Sequence, residues 1–141
     1  FVGRVMRILD GELVDRSDLR QQLGVLKKVS KSLANNQISW GIFPEGTRNK
    51  DLDNVLIGEL HPGTFKIVLN NDIDLVPVVI DKSYAILSRK IKHKKYIVNV
   101  AFIDFDKNNG KYKNTVELRD DVYKLMCDKL TEIRSNENNV K

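Results

Sequence analysis

The 141-residue sequence has one cysteine, Cys127. An internal disulfide and a metal site built from cysteines are therefore excluded, and a reducing, cytoplasmic setting fits this composition. Cys127 lies within a periodic apolar pattern and has no histidine near it in the sequence. This position predicts a small packing residue.

Long hydrophobic runs and a recognisable start are also missing. No stretch approaches the roughly 20 consecutive apolar residues that a membrane-spanning helix needs, and the first residues do not have the pattern of a secretory signal. These absences predict a soluble or peripheral protein. The first residue is Phe1 and not Met, which indicates that the natural start lies upstream.

Basic residues are in moderate excess, and the formal net charge is +5. A positive charge favours partners that carry phosphates, whether anionic lipid, phosphorylated metabolite or nucleic acid. The charge alone does not distinguish among these three classes.

Apolar periodicity predicts three helices. Apolar residues recur at three- and four-residue steps from Leu19 to about Asn35 and again from Leu118 to Ile133, which indicates two amphipathic helices. Pro62 opens a third, shorter helix. Residues 1–9 fit either a helix or a strand.

Runs rich in Val, Ile and aromatic residues predict the strands. They cover Gly11–Val14, Ile38–Phe43, Leu75–Ile80 and Tyr96–Phe105. Because parallel strands need a crossover between them, the alternation with helices predicts an α/β fold with a mixed, partly parallel sheet flanked by helices. We expect one domain over residues 1–134 and a polar tail over residues 135–141.

The most informative segment is Phe43–Arg48, with the sequence Phe-Pro-Glu-Gly-Thr-Arg. Arg48 offers a planar fork of donors for phosphate oxygens, Thr47 adds a hydroxyl, and Gly46 allows a close approach of the backbone. Glu45 can accept a hydrogen bond from a ligand hydroxyl or hold the arginine. On these residues alone, an ordinary surface turn is an equally good interpretation.

Phe43–Arg48 resembles the FPEGTR signature of the glycerolipid acyltransferase family, whose closest type is the bacterial 1-acyl-sn-glycerol-3-phosphate (lysophosphatidic acid) acyltransferase. Gly11–Arg16 is similar to the family's earlier block, which ends in an arginine. Pro62–Lys66 followed by Leu75–Ile80 is similar to its last block. The resemblance covers roughly residues 1–80, and three ordered blocks are more specific than one hexapeptide.

The resemblance implies a site for the acceptor phosphate. Carried over position by position, it consists of Arg16, Glu45, Gly46, Thr47 and Arg48. Two arginines suit a phosphomonoester because it carries close to two negative charges at neutral pH. Lys66 can add a third positive charge or lie on a solvated face of the short helix.

One block of the family is missing from this chain. The family uses a histidine as general base and an aspartate five residues later to orient it, but Lys66 lies five residues after His61 and Val98 five after His93. The resemblance therefore describes an incomplete domain, a C-terminal fragment with no catalytic residue of its own. Without general-base catalysis, worth about 100- to 10,000-fold, the fragment alone should be inactive.

The family resemblance also implies the reaction and its partners. It implies acyl transfer from acyl carrier protein or coenzyme A thioesters to lysophosphatidate, giving phosphatidate in phospholipid biosynthesis, with no metal and no bound cofactor. The expected location is the cytoplasmic face of the membrane, as a peripheral protein. The abundance of Lys, Asn and Ile is typical of bacteria with AT-rich genomes.

A basic connector between the last two predicted strands suits an anionic membrane surface or a solvated loop. Each basic residue near such a surface adds about 1 kcal/mol of attraction. We define the connector as residues 82–95. Its basic residues are Lys82, Arg89, Lys90, Lys92, Lys94 and Lys95.

Three alternatives stay open at this point. A related acyltransferase can act on glycerol 3-phosphate or another lysolipid. A relative without the histidine block can keep only lipid-phosphate binding. A nucleic-acid-binding module can use the basic connector with Tyr84 and Tyr96, although it leaves the three blocks unexplained, so nucleic acid is the least favoured partner.

Overall fold

The computed structural model describes most of the chain. The described residues are 2–12, 14, 17–35, 38–49, 51, 54–71, 73–86, 96–106 and 112–139. They divide into two compact units, one of residues 1–42 with 67–73 and one of residues 43–66 with 74–141.

The first unit begins with helix α1, Val2–Ile8, which settles the choice left open for residues 1–9. The helix ends because Asp10 adopts a left-handed conformation with φ of 52°. The Gly11 amide then donates to the Met6 carbonyl at 2.7 Å. This bond satisfies one of the carbonyls that a helix end leaves without a partner.

Helix α2 spans Leu19–Ala34, as the periodicity predicted. It starts at Asp18, whose carboxylate accepts from the amides of Arg20 at 2.9 Å and Gln21 at 3.0 Å. Such a cap satisfies amides that the first helical turn leaves unpaired. On the inner face Val29 is buried. The unit also contains helix α3, Lys66–Asn71, except for its first residue.

The second unit contains an antiparallel hairpin and a long helix. Strand β1, Val78–Asp81, pairs with strand β2, Asn99–Phe102. The register places Val78 opposite Phe102 and Asp81 opposite Asn99. Helix α4, Thr115–Asn139, packs on β1 and on the short 3₁₀ turn Pro62–Phe65.

Helix α4 has a defined start and an apolar inner face. The Asn114 side chain accepts from the amides of Val116 at 2.9 Å and Glu117 at 3.0 Å, which caps the first turn. The helix continues beyond residue 134, into the segment 135–141 that is predicted from the sequence to be a polar tail. The buried apolar side chains among the described residues of this unit include Ile57, Leu60, Phe65, Val79, Leu118, Val122 and Leu130.

The mixed α/β class is confirmed, but the parallel part of the sheet is not. In the described residues the strands pair antiparallel. The prediction also included Ile38–Phe43 as a buried strand. Instead this segment has no strand structure, and Ile38 is 53% and Phe43 81% exposed. Apolar composition alone does not make a strand, because a strand also needs a partner for its backbone.

The remaining strand predictions are confirmed only in part. The run Leu75–Ile80 contains β1 in its second half, and Tyr96–Phe105 contains the shorter β2. In the predicted strand Gly11–Val14, the described residues are not in a strand, and Leu13 lies outside them. Within the described part of the chain, no helix combines the length and the apolar content needed to cross a membrane.

Candidate phosphate-binding site

The signature segment begins with a tight turn. The Gly46 amide donates to the Phe43 carbonyl at 3.0 Å, which closes a four-residue β-turn. Pro44 and Gly46 occupy the second and fourth positions, where a type I turn favours proline and glycine. Gly46 has φ of 60°, a left-handed conformation that glycine adopts without strain. The Pro-x-Gly spacing therefore fixes the turn locally.

Two hydrogen bonds tie this turn to the segment Ile57–His61. The Glu45 carboxylate accepts from the Gly58 amide at 2.7 Å, and the Pro44 carbonyl accepts from the His61 amide at 3.0 Å. The contact at Gly58 is close, since an added Cβ there would lie 2.6 Å from Glu45 Oε2. In this structure Glu45 thus holds the protein backbone.

The segment Ile57–His61 is held in turn by helix α4. Ile57 and Leu60 are buried, and the Tyr123 hydroxyl donates to the Ile57 carbonyl at 3.2 Å. Burial raises the pKa of the Tyr123 phenol most, and neighbouring Cys127 and Glu45 raise it further. The phenol therefore remains a protonated donor at neutral pH.

Thr47 and Arg48 follow the turn and are exposed. Among the described residues, no carboxylate forms an ion pair with Arg48. Beyond it, the Asn49 side chain donates to the Val55 carbonyl at 2.6 Å and accepts from the Asp51 amide at 3.0 Å. Arg48 is thus a solvent-accessible cation close after the turn, and it can bind an anion with its donor fork.

The structure describes the other expected residues of the site unevenly. Arg16, the second arginine that the resemblance implies, lies outside the described residues. Lys66 is exposed at the start of α3, so both of its interpretations remain. Glu12, in the block before Arg16, forms an ion pair with Lys28 of α2.

His61, His93 and Cys127 were not expected to be catalytic. The His61 side chain is exposed, and His93 lies outside the described residues. Burial raises the pKa of the Cys127 thiol, against a smaller lowering by its hydrogen bond to Tyr123. A protonated thiol is a poor nucleophile at neutral pH, which fits a packing residue.

Sequence reasoning missed two residues near the signature, Gly58 and Tyr123. Gly58 lies in a stretch without a clear pattern, and Tyr123 lies 66 residues along the chain from the carbonyl it binds. The apolar periodicity of α4 located its inner face but carried no signal for a phenol hydrogen bond to a distant backbone carbonyl.

Comparison with known proteins gives a family match and three low-identity relatives. The family model described as "Acyltransferase" matches residues 1–81. A probable 1-acyl-sn-glycerol-3-phosphate acyltransferase of Mycoplasma pneumoniae is 28% identical over 95 residues, which are 67% of this chain and 34% of that protein. The 1-acyl-sn-glycerol-3-phosphate acyltransferase of Saccharomyces cerevisiae is 27% identical over 90 residues, 64% of this chain and 29% of that protein.

A probable 1-acyl-sn-glycerol-3-phosphate acyltransferase of Mycoplasma genitalium is 31% identical over 77 residues, 55% of this chain and 27% of that protein. The aligned part of the chain thus spans between 27% and 34% of the length of these relatives. No solved structure matches the chain at a significant level.

Proposed function

The chain belongs to the acyltransferase family, and from this we propose that it is part of an enzyme that acylates 1-acyl-sn-glycerol 3-phosphate to give phosphatidate. This chain supplies the part that binds the acceptor phosphate. The names of the three relatives, all 1-acyl-sn-glycerol-3-phosphate acyltransferases, support this acceptor. The single observation that carries the proposal is the signature turn, anchored through Glu45 and Pro44 and followed by exposed Thr47 and Arg48.

The chemistry of the turn suits a phosphomonoester. The dianion needs fixed cationic donors, and a guanidinium binds two phosphate oxygens at once. An anchored turn limits the positions that Arg48 and Thr47 can sample, so less ordering remains to be done when the ligand binds. We propose that Arg16 binds the same phosphate and that Lys66 contributes at longer range.

In the proposed reaction, the phosphate contacts orient the acceptor. The free hydroxyl of lysophosphatidate attacks the thioester carbonyl carbon, a C–O bond forms, and the C–S bond breaks. The hydroxyl proton passes to a general base and then to the leaving thiolate. We propose that this base is the histidine of a His-x-x-x-x-Asp block outside this chain, so that the fragment alone is inactive. Orientation by Arg48 contributes by holding the hydroxyl near the thioester.

The proposed reaction needs no metal and no bound cofactor, since the thioester is already activated. The donor is a fatty acyl thioester of acyl carrier protein or coenzyme A, and the chemistry at the carbonyl is the same for both. These donors, together with the composition of the chain, support a location at the cytoplasmic face of a bacterial membrane. The proposed full-length enzyme would act there on a lipid acceptor.

We propose a peripheral membrane contact at the β1–β2 hairpin. On its outer face Ile80 is 47%, Val100 52% and Phe102 73% exposed, and the register pairs Ile80 with Val100 across the strands. The basic connector leaves β1 directly after Asp81. An exposed apolar face followed in the sequence by a run of basic residues suits a surface with acyl chains below anionic headgroups.

The test of the proposed function is an acceptor panel with the full-length protein. Lysophosphatidate, glycerol 3-phosphate, monoacylglycerol and a lysolipid with a blocked phosphate are compared under one acyl thioester. We expect transfer to lysophosphatidate and at least about tenfold less to the two acceptors without a free phosphomonoester, since charge-assisted hydrogen bonds are worth about 1.5–3 kcal/mol. Preference for glycerol 3-phosphate would instead identify the related acyltransferase. Equal transfer to acceptors with and without a free phosphomonoester would contradict the proposed site.

A further inference from the structure

One peptide group beside the signature turn is held at both of its polar ends. The carbonyl of Ile57 accepts from Tyr123 at 3.2 Å, and the amide of the same peptide group, on Gly58, donates to Glu45 at 2.7 Å. A peptide group is planar, so fixing its C=O and its N–H fixes the orientation of the whole plane. Tyr123 and Glu45 are thus linked through four backbone atoms.

Tyr123 lies outside the part of the chain that matches the family, which ends at residue 81. It is on α4, the long helix of the second unit. The structure therefore joins a residue of the C-terminal helix to the signature turn by a short, directional path. We propose that Tyr123 is a positioning residue for the acceptor-phosphate site, an inference that rests on the proposed function. Tyr123 acts through the Ile57–Gly58 peptide and Glu45 on the turn that presents Arg48.

The surrounding apolar contacts bring the elements together without setting this orientation. Leu60 of the segment and Leu118 and Val122 of α4 are buried. Apolar burial is non-directional, so by itself it does not set the orientation of the Ile57–Gly58 peptide. The hydrogen bond from Tyr123 supplies the direction. A peptide rotated away would leave the Glu45 carboxylate without the Gly58 amide and loosen the turn.

The first experiment measures steady-state kinetics of Tyr123→Phe in the full-length protein. This variant keeps the ring and removes the donor. We expect the KM for lysophosphatidate to rise about 2- to 10-fold, the ratio that corresponds to one neutral hydrogen bond, with an unchanged KM for the acyl thioester and unchanged kcat. Tyr112→Phe is the matched control because it also removes a phenol hydrogen bond on this unit, to Asp121 at 2.9 Å, without touching the signature.

A second variant approaches the same link from the other side. In Gly58→Ala the new Cβ would lie 2.6 Å from Glu45 Oε2 and displace that flexible carboxylate, while the bond from Tyr123 can remain. We expect the same rise in the KM for lysophosphatidate. Because both variants break one link, the double variant should show less than the product of the two effects. An equal rise in the KM for both substrates would overturn the proposal. A double variant whose effect equals the product of the two single effects would overturn it as well.

A readout without catalysis separates this inference from the proposed function. Lack of transfer to lysophosphatidate in the wild type would contradict the function, and amide hydrogen exchange at Gly58 then decides the link. We expect exchange at Gly58 to be about 2- to 10-fold faster in Tyr123→Phe and unchanged in Tyr112→Phe. Equal exchange rates in the wild type and Tyr123→Phe would overturn the inference whatever the substrate is.

Discussion

The guanidinium of Arg134 donates to the buried carboxylate of Asp81, with Nη2 at 3.0 Å and Nε at 3.3 Å from Oδ1. Asp81 is 3% exposed, and its Oδ2 has no hydrogen-bond partner in the described residues. The pair joins the end of β1 to the last turns of α4. Beside it, Glu137 of α4 binds Lys82 and accepts from Asn99.

Removing Arg134 should therefore destabilise the fold. Arg134→Met leaves the buried Asp81 charge unpaired, and we expect a loss of about 3 kcal/mol in the free energy of unfolding. Lys129→Met is the matched control on the same helix, because the Lys129–Glu132 pair is more exposed and should be worth less than about 1 kcal/mol. Urea unfolding of both variants measures the difference. Equal losses would show that burial of Asp81 has no energetic role.

Gly46→Ala should loosen the signature turn. A side chain at φ of 60° costs about 1–2 kcal/mol, so the variant should lose stability and raise the KM for lysophosphatidate. Gly24→Ala is the contrasting change, because a Cβ there meets nothing within 4 Å inside α2 and should stabilise the helix by about 0.8–1 kcal/mol. Chemical unfolding tests both. A neutral Gly46→Ala would argue against a conformational requirement at that position.

Tyr112 should make stability fall at high pH. Burial, followed by the hydrogen bond to Asp121 and nearby negative charge, raises the pKa of Tyr112 from 10.0 to about 12. Between these pH values the unfolded chain loses the phenol proton while the folded chain keeps it. The contribution of Tyr112 to the free energy of unfolding is therefore complete below pH 10 and is lost as pH rises toward 12.

The measurement is unfolding free energy against pH for the wild type and Tyr112→Phe. The wild type should lose stability more steeply above pH 10, because the phenylalanine variant has no phenol to titrate there. Ultraviolet titration of the phenolates should show a group near pH 12 that the variant lacks. If the free energies of unfolding of the two proteins fall in parallel above pH 10, Tyr112 does not have the raised pKa.

Local sequence patterns correctly predicted the features that depend on contacts between neighbouring residues. The start of α2 follows from Asp18 and the apolar steps after Leu19, and the turn at Pro44 and Gly46 follows from the residues themselves. The strand prediction for Ile38–Phe43 was wrong because pairing depends on a partner that composition does not supply. The contacts Tyr123–Ile57 and Asp81–Arg134 join residues 66 and 53 positions apart, and no local pattern encodes them.

Membrane contact at the hairpin predicts a role for Phe102. Phe102→Ser should weaken binding to anionic vesicles about tenfold, since burying a phenylalanine side chain is worth about 1.5–3 kcal/mol. Val116→Ser is the control, because Val116 is an exposed apolar residue at 44% on α4. Vesicle sedimentation at low and high salt checks both variants. Identical binding of the two variants would exclude the outer face of the hairpin as the contact.

The proposed function depends on binding of the acceptor phosphate by Arg48. Its most direct test is the KM for lysophosphatidate of Arg48→Ala in the full-length enzyme, with Arg20→Ala, another exposed arginine, as control. We expect a rise of at least about tenfold in Arg48→Ala, the loss of one charge-assisted hydrogen bond, with an unchanged KM for the acyl thioester and no effect in Arg20→Ala. An unchanged KM for lysophosphatidate in Arg48→Ala would contradict it.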